Sequence, residues 1–176
     1  PRKGSQIRDA IDLKRLMMTV VIAMVPCLLF GIWNVGHQHF IASGVSASFL
    51  EKIFLGSQKV LPIVLVSYVA GGLVEVIFSL IRRHPINEGF LVTGMLIPLI
   101  MPPNIPLWQV ALATIFAIVI AKEVFGGTGM NILNVALTAR VFLYFGFPSD
   151  ISGDVWTYYR SEEHTSELQS PCNLVC

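Results

Sequence analysis

Residues 16–36 form an apolar run without a formal charge. These twenty-one residues, at about 1.5 Å rise each, reach roughly 30 Å as a helix, the thickness of bilayer hydrocarbon. A second run, 60–81, contains a single group of formal charge, Glu75. The pattern predicts two transmembrane helices here, the first kinked at Pro26 and carrying Trp33 near an interface. The segment 37–59, with His37, His39, Glu51, Lys52 and Lys59, reads as the loop between them.

Residues 89–121 carry no formal charge for thirty-three positions, but Pro98, Pro102, Pro103 and Pro106 interrupt them. The expectation is a half-helix over 89–101, a proline-rich break and a helix over 107–121. A tilted, kinked full span beginning near Asn87 is the alternative. A half-helix is tolerated at membrane depth only where its backbone ends are buried in protein or line a cavity. Lys122 and Glu123 read as a solvated or paired helix end. Gly126-Gly127-Thr128-Gly129 reads as a loop, and 131–147 as a further helix. The fold class expected is an all-α polytopic integral membrane bundle with broken helices.

Composition supports that class. The chain is 54% hydrophobic and 13% charged, about half the charge of a soluble domain, and its mean hydropathy is +0.69. A net charge of +1 gives no field to draw a polyanion, so no nucleic-acid partner is expected. Disorder and an ordinary soluble enzyme are excluded on the same grounds. Basic residues orient the spans. Arg2, Lys3, Arg8, Lys14 and Arg15 outnumber Asp9 and Asp12 before the first span, and Arg82-Arg83 follow the second. Two spans apart, both groups can lie on the cytoplasmic side.

The first apolar run is too long for a signal peptide and lacks a small-residue cleavage site. The chain starts at Pro1 rather than Met, which reads as a fragment. Cys27, Cys172 and Cys176 have neither disulfide nor zinc spacing, so no metal site is expected. Residues 160–176 (RSEEHTSELQSPCNLVC) break the apolar pattern. They resemble the translated read-through of a sequencing-library adapter, and are read as an artefactual tail without function.

Few residues offer chemistry. Glu75 lies deep in the second run, where an unpaired charge costs several kcal/mol. It could be protonated, pair with a base or line a cation route; a snorkelling, interfacial Glu is the bland alternative. Gly71-Gly72, one turn earlier, thins the helix for a partner helix or a flat ligand. Asn131 and Asn134, three apart, share a face if that stretch is helical. Their carboxamides could bond the edge of a planar heterocycle, or cap and cross-link helices. Gly126-Gly-Thr-Gly lacks both the dinucleotide spacing and the P-loop lysine. Arg140 calls for an acidic partner or a headgroup.

In order along the chain stand IRDAIDLKR (Ile7–Arg15), GGLVEVIF (Gly71–Phe78), RRHPINEGF (Arg82–Phe90), PPNIPLWQ (Pro102–Gln109) and KEVFGGTGMNILN (Lys122–Asn134). Over about residues 5–159 the chain resembles the B subunits of sodium-translocating NADH:quinone oxidoreductases. More distantly it resembles the D subunits of Rnf complexes, which share the FGG-x-G-x-N-x-x-N pattern. The resemblance implies a subunit of a redox-driven sodium pump in the bacterial inner membrane, partnered by the other subunits. The resemblance further implies that electrons pass from NADH through flavins to a quinone in that complex. It implies riboflavin at Asn131 and Asn134, a quinone-sensitive helix at Gly71 and Gly72, and sodium movement at Glu75.

Two departures stand out. Val135 replaces a Pro common after the second Asn. The family also attaches flavin mononucleotide (FMN) to a Thr in an S-G-A-T-like segment, whereas Ser152-Gly153-Asp154-Val155 has no Thr. The sequence is thus expected to end before the covalent flavin site and to be inactive alone. A channel or transporter half without cofactor is the competing reading of broken helices and a buried Glu.

The orientation has a direct test. Single cysteines at Ser5 and Arg83 should label from the same membrane face, and cysteines between 37 and 59 from the other. Labelling of Ser5 and Arg83 from opposite faces would sink the topology.

Overall fold

A computed structural model describes residues 13–83, 89–127 and 131–156. The basic segment 1–12, residues 84–88, residues 128–130 within the glycine loop and residues 157–176, which include the whole polar tail, lie outside the described residues. The described residues build helices and connecting turns: α1 (Leu13–Ala42), α2 (Phe49–Arg82), α3 (Gly89–Leu99), α4 (Leu107–Ala117), α5 (Val135–Gly146) and the short α6 (Pro148–Ile151). A π-helical turn, Ile118–Glu123, extends α4, and a 3₁₀ turn, Asp154–Trp156, follows α6. Two of these helices, Lys14–Ala42 and Phe49–Arg82, are long and apolar enough to cross a membrane.

Two expectations need correction. The expected 37–59 loop is mostly helix, and the link between α1 and α2 shrinks to residues 43–48. Polar residues there did not end the helices, because none of them removes a backbone donor or forces a turn. What ends α1 is the Ser43–Gly44 stretch, where Gly44 takes φ +66°, a conformation that glycine adopts without a Cβ penalty. What starts α2 is the Ser48 cap, whose N–H donates to Glu51 Oε2 at 2.8 Å, half of a capping box. The helix expected over 131–147 begins only at Val135, because Asn134 caps it.

The topology follows from cross-helix contacts. α1 and α2 form an antiparallel hairpin with Gly36 against Lys52 and Gly56 against Ile32. α3 runs antiparallel to α2: Ser67 Oγ donates to Gly94 O at 3.3 Å and Tyr68 OH to Leu91 O at 2.9 Å. After the Pro102-Pro103 break the chain reverses. α4 and its π-helical turn run beside α2 in the same direction, since Thr114 and Ile118 face Gly71 and Lys122 faces Glu75. α5 returns along α4 through Phe116–Phe142 and Trp108–Phe147 ring contacts. The core lies between α2, α3, α4 and α5, around Ile97, Val110, Ala113, Ala117, Ile118 and Leu143. α1 stands outside it, with Ile22, Leu29 and Phe30 exposed.

α3 has eleven residues, about 16 Å of helix, half the hydrocarbon thickness. The link from α3 to α4 packs inside the protein, with Met101 and Ile105 buried. Arg140 lies on α5, packed against the turn that follows α6. Its guanidinium lies 4.8 Å from the Trp156 ring centroid, a cation–π contact.

The α1–α2 hairpin depends on glycine. A Cβ at Gly36 would stand 1.9 Å from Lys52 O, and one at Gly56 1.9 Å from Ile32 O. Both obstacles are backbone, so neither can swing aside. Gly36→Ala and Gly56→Ala should each destabilise the hairpin by about 1–3 kcal/mol, the range for overpacking. Gly31→Ala, with nothing within 4 Å of the added carbon, should not. Thermal unfolding in detergent that ranks the three alike would refute the close crossing.

Candidate functional site

Glu75 and Arg82 are seven residues apart on α2, two helical turns, so they share a face. That face meets the π-helical turn. Lys122 Nζ donates to Glu75 Oε2 at 2.7 Å, with side-chain exposures of 3% and 5%. One step along, Arg82 Nη1 lies 3.4 Å from Glu123 Oε2, and Arg82 Nη2 donates to the Glu123 carbonyl. Two acids and two bases thus neutralise one another where the bundle is otherwise apolar. The arrangement answers the alternatives open for Glu75: its carboxylate is buried and paired with a base. Lys122 and Glu123, read as a solvated or paired helix end, are paired and buried.

The π-helical turn makes this possible. Val124 N–H reaches Val119 O at 2.9 Å and Gly127 N–H reaches Lys122 O at 3.0 Å, both i to i+5 bonds. The extra residue per turn narrows the angle between successive side chains. Adjacent Lys122 and Glu123 can therefore both address α2. Single π-helical turns recur at functional sites. The turn gives way to Gly126 and Gly127, at φ +119° and +96°, where any side chain would be strained.

Gly71 is buried and packed. An added Cβ would lie 2.8 Å from both Ile118 Cδ1 and Phe90 Cε2. Helix packing therefore accounts for Gly71. Gly72 is half-buried, and its nearest neighbour would be Phe90 Cζ at an ordinary 3.4 Å.

Asn131 and Asn134 do not share a helix face. Asn131 lies in the non-helical approach to α5, and Asn134 is its N-cap. Asn134 Oδ1 accepts from Ala136 N at 3.0 Å and Leu137 N at 3.2 Å. The cap uses the oxygen and leaves the amide nitrogen out of its geometry. Both residues are exposed. α5 runs opposite to α4, so its first turn lies at the end of the bundle that also holds Lys122, Glu123 and Arg82. Sequence reasoning missed the four-charge cluster. The available signal was the seven-residue spacing of Glu75 and Arg82 against the adjacent Lys122-Glu123.

Removing one partner of a buried ion pair costs about 3–5 kcal/mol, whereas replacing both with apolar groups is often neutral. Glu75→Leu and Lys122→Met should each lower the thermal stability of the chain, and the double variant should recover most of the loss. Additive losses in that double-mutant cycle would mean the pair is not coupled.

The comparisons agree on one family. The family model described as "NQR2, RnfD, RnfE family" matches residues 2–170, a range that includes part of the polar tail. The chain is 44% identical over 179 aligned positions to the B subunit of the Na(+)-translocating NADH-quinone reductase of Chlamydia caviae, covering 89% of this chain and 36% of that protein. It is 46% identical to the protein of the same name from Stutzerimonas stutzeri, over 87% of this chain and 44% of the relative. To that of Yersinia pestis it is 45% identical, over 88% of this chain and 45% of the relative. The chain thus spans less than half the length of these curated relatives.

Proposed function

The chain belongs to the NQR2, RnfD, RnfE family, and from that premise we propose that it is a membrane subunit of a redox-driven sodium pump. In the assembled complex, electrons pass from NADH through flavins to a quinone while sodium crosses the bacterial inner membrane. The observation that carries this reading is the 44–46% identity to B subunits named for a Na(+)-translocating NADH-quinone reductase, and the buried Glu75–Lys122 pair between α2 and the π-helical turn fits it. An acidic side chain at depth in an apolar bundle is a candidate for an ion pathway. A polytopic arrangement, with α1 and α2 spanning and α3 as a half-helix, fits the apolar lengths. The other subunits are its partners in this reading.

Each site residue has a role in the proposal. Glu75 belongs to the sodium route. Gly72, half-buried beside Phe90, forms the quinone-facing part of α2, with Gly71 packed behind it against Ile118. Asn131 and Asn134 hold riboflavin, which supplies redox chemistry when bound. They fit a ligand of that kind, since both side chains are exposed beside a glycine turn and the Asn134 amide nitrogen stands outside the cap. Covalent FMN does not fit the described residues: Ser152-Gly153-Asp154-Val155 offers no Thr hydroxyl for the phosphate ester. A channel half without cofactor shares the buried Glu but gives no role to two exposed carboxamides at one end of the bundle.

The cap decides the right variants. Asn134→Leu would remove the cap, at a cost of about 1 kcal/mol of helix stability. Asn134→Asp keeps the cap oxygen and loses only the amide donors. In an assembled complex carrying this sequence, Asn131→Leu with Asn134→Asp should cut non-covalent riboflavin. Two lost hydrogen bonds, at about 1 kcal/mol each and more where a ligand group is left unpaired, weaken binding by roughly tenfold to a thousandfold. Flavin released by denaturant measures that pool separately from covalent flavin. An unchanged riboflavin-to-protein ratio would return both residues to a purely structural role.

A further inference from the structure

We propose that Lys122 is a tethered counter-cation that occupies Glu75 until a monovalent cation replaces its ammonium group. This rests on the reading of Glu75 as part of the sodium route and adds a residue and an exchange step to it. The first ground is charge balance. Glu75, Lys122, Arg82 and Glu123 sum to zero, and three of the four side chains are nearly enclosed, only Arg82 being partly exposed at 34%. A cation that joined Glu75 with the ammonium still in place would add a net positive charge to an apolar interior, a costly state. Arrival of the cation and departure of the ammonium are therefore coupled one for one. The 2.7 Å contact makes the ammonium a direct competitor for the same carboxylate oxygen.

The second ground is the backbone. Lys122 sits in the π-helical turn, and its carbonyl accepts the i+5 bond from Gly127. Returning that turn to α-helical pairing removes one residue from the register and rotates Lys122 by about 100° around the axis. Gly126 and Gly127, already at positive φ, can absorb the change without a Cβ clash. Glu123 stays tied to Arg82 through its carboxylate and carbonyl, so the two ion pairs have different freedom. Lys122 is the mobile member and Arg82–Glu123 the anchor. In this scheme Lys122 touches no electron carrier; it sets when Glu75 is available.

The test uses the full chain in lipid nanodiscs, with sodium chloride against choline chloride at equal ionic strength. A membrane-permeant amine-acylating ester reports whether Lys122 has left Glu75, and peptide mass spectrometry reads its modification, with Lys14 as the internal reference. Sodium should raise Lys122 acylation several-fold and leave Lys14 unchanged. Glu75→Gln should abolish the sodium dependence. In radiolabelled sodium binding, Lys122→Met should bind at least about tenfold more tightly than the wild type, because the competitor no longer holds the site most of the time. Lys122→Arg, which retains a cation, should not gain affinity. Acylation that ignores sodium overturns the exchange even if Lys122→Met fails to fold, since that measurement needs only the wild-type chain. Sodium dependence that survives Glu75→Gln overturns it as well. The underlying reading fails separately: a complex in which Glu75→Gln leaves sodium transport unchanged removes Glu75 from the route, whatever the exchange on the isolated chain shows.

Discussion

An ionised carboxylate in an apolar bundle is costly unless a positive charge meets it, and the packing of α2 against the π-helical turn is organised around that pairing. Glu75 on its own would cost several kcal/mol. Lys122 answers it at 2.7 Å, and the π-helical winding of the chain after α4 turns the next side chain, Glu123, toward α2 as well. The turn in turn needs an exit, and Gly126-Gly127 provides it at positive φ. Arg82 closes the end of the same interface on Glu123. A buried ion pair adds little net stability compared with an apolar pair of similar size.

Close approach sets the rest of the frame. Without water between helices, association depends on packing, and small residues let backbones meet. Gly36 and Gly56 bring α1 onto α2 at backbone contact, Gly71 admits Ile118 and Phe90, and Gly94 receives the Tyr68 ring. These contacts fix α2 as the common neighbour of α1, α3 and α4. α2 carries Glu75, so the helix that holds the charge is also the one held most firmly. The short π-helical turn faces it.

Much of this was legible in the sequence. The apolar runs near 16–36 and 60–81 mark the two long helices, and the prolines at 98–106 mark the break between α3 and α4. The helix ends were not. His37, His39, Glu51 and Lys52 made 37–59 look like a loop, but polarity alone does not stop a helix. The stop was written in Ser43-Gly44 and the start in Ser48 with Glu51, a cap pattern. Asn131 and Asn134 were misplaced for a related reason. Their spacing of three implies a shared face only within a helix, and an Asn just before an apolar run is as much a cap as a first-turn residue. Lys122 was harder to read. Its pairing with Glu75 joins residues far apart in sequence, and π-helical winding has no periodic signature in one chain.

Direction links the two candidate sites. α4 runs beside α2, and α5 returns antiparallel to α4, so the end of α4 and the start of α5 lie at one end of the bundle. That end holds Arg82, Lys122 and Glu123, then the glycines, then Asn131 and Asn134. The seven residues 124–130 are thus all that separates Glu123 from Asn131 along the chain. A change of register in the π-helical turn would fall first on Gly126 and Gly127, both at positive φ. In the other direction, a ligand held by the carboxamides would restrain the same glycines. The element that carries Lys122 and the stretch that leads to the Asn134 cap are consecutive in the backbone, which puts both candidate sites at one end of the bundle.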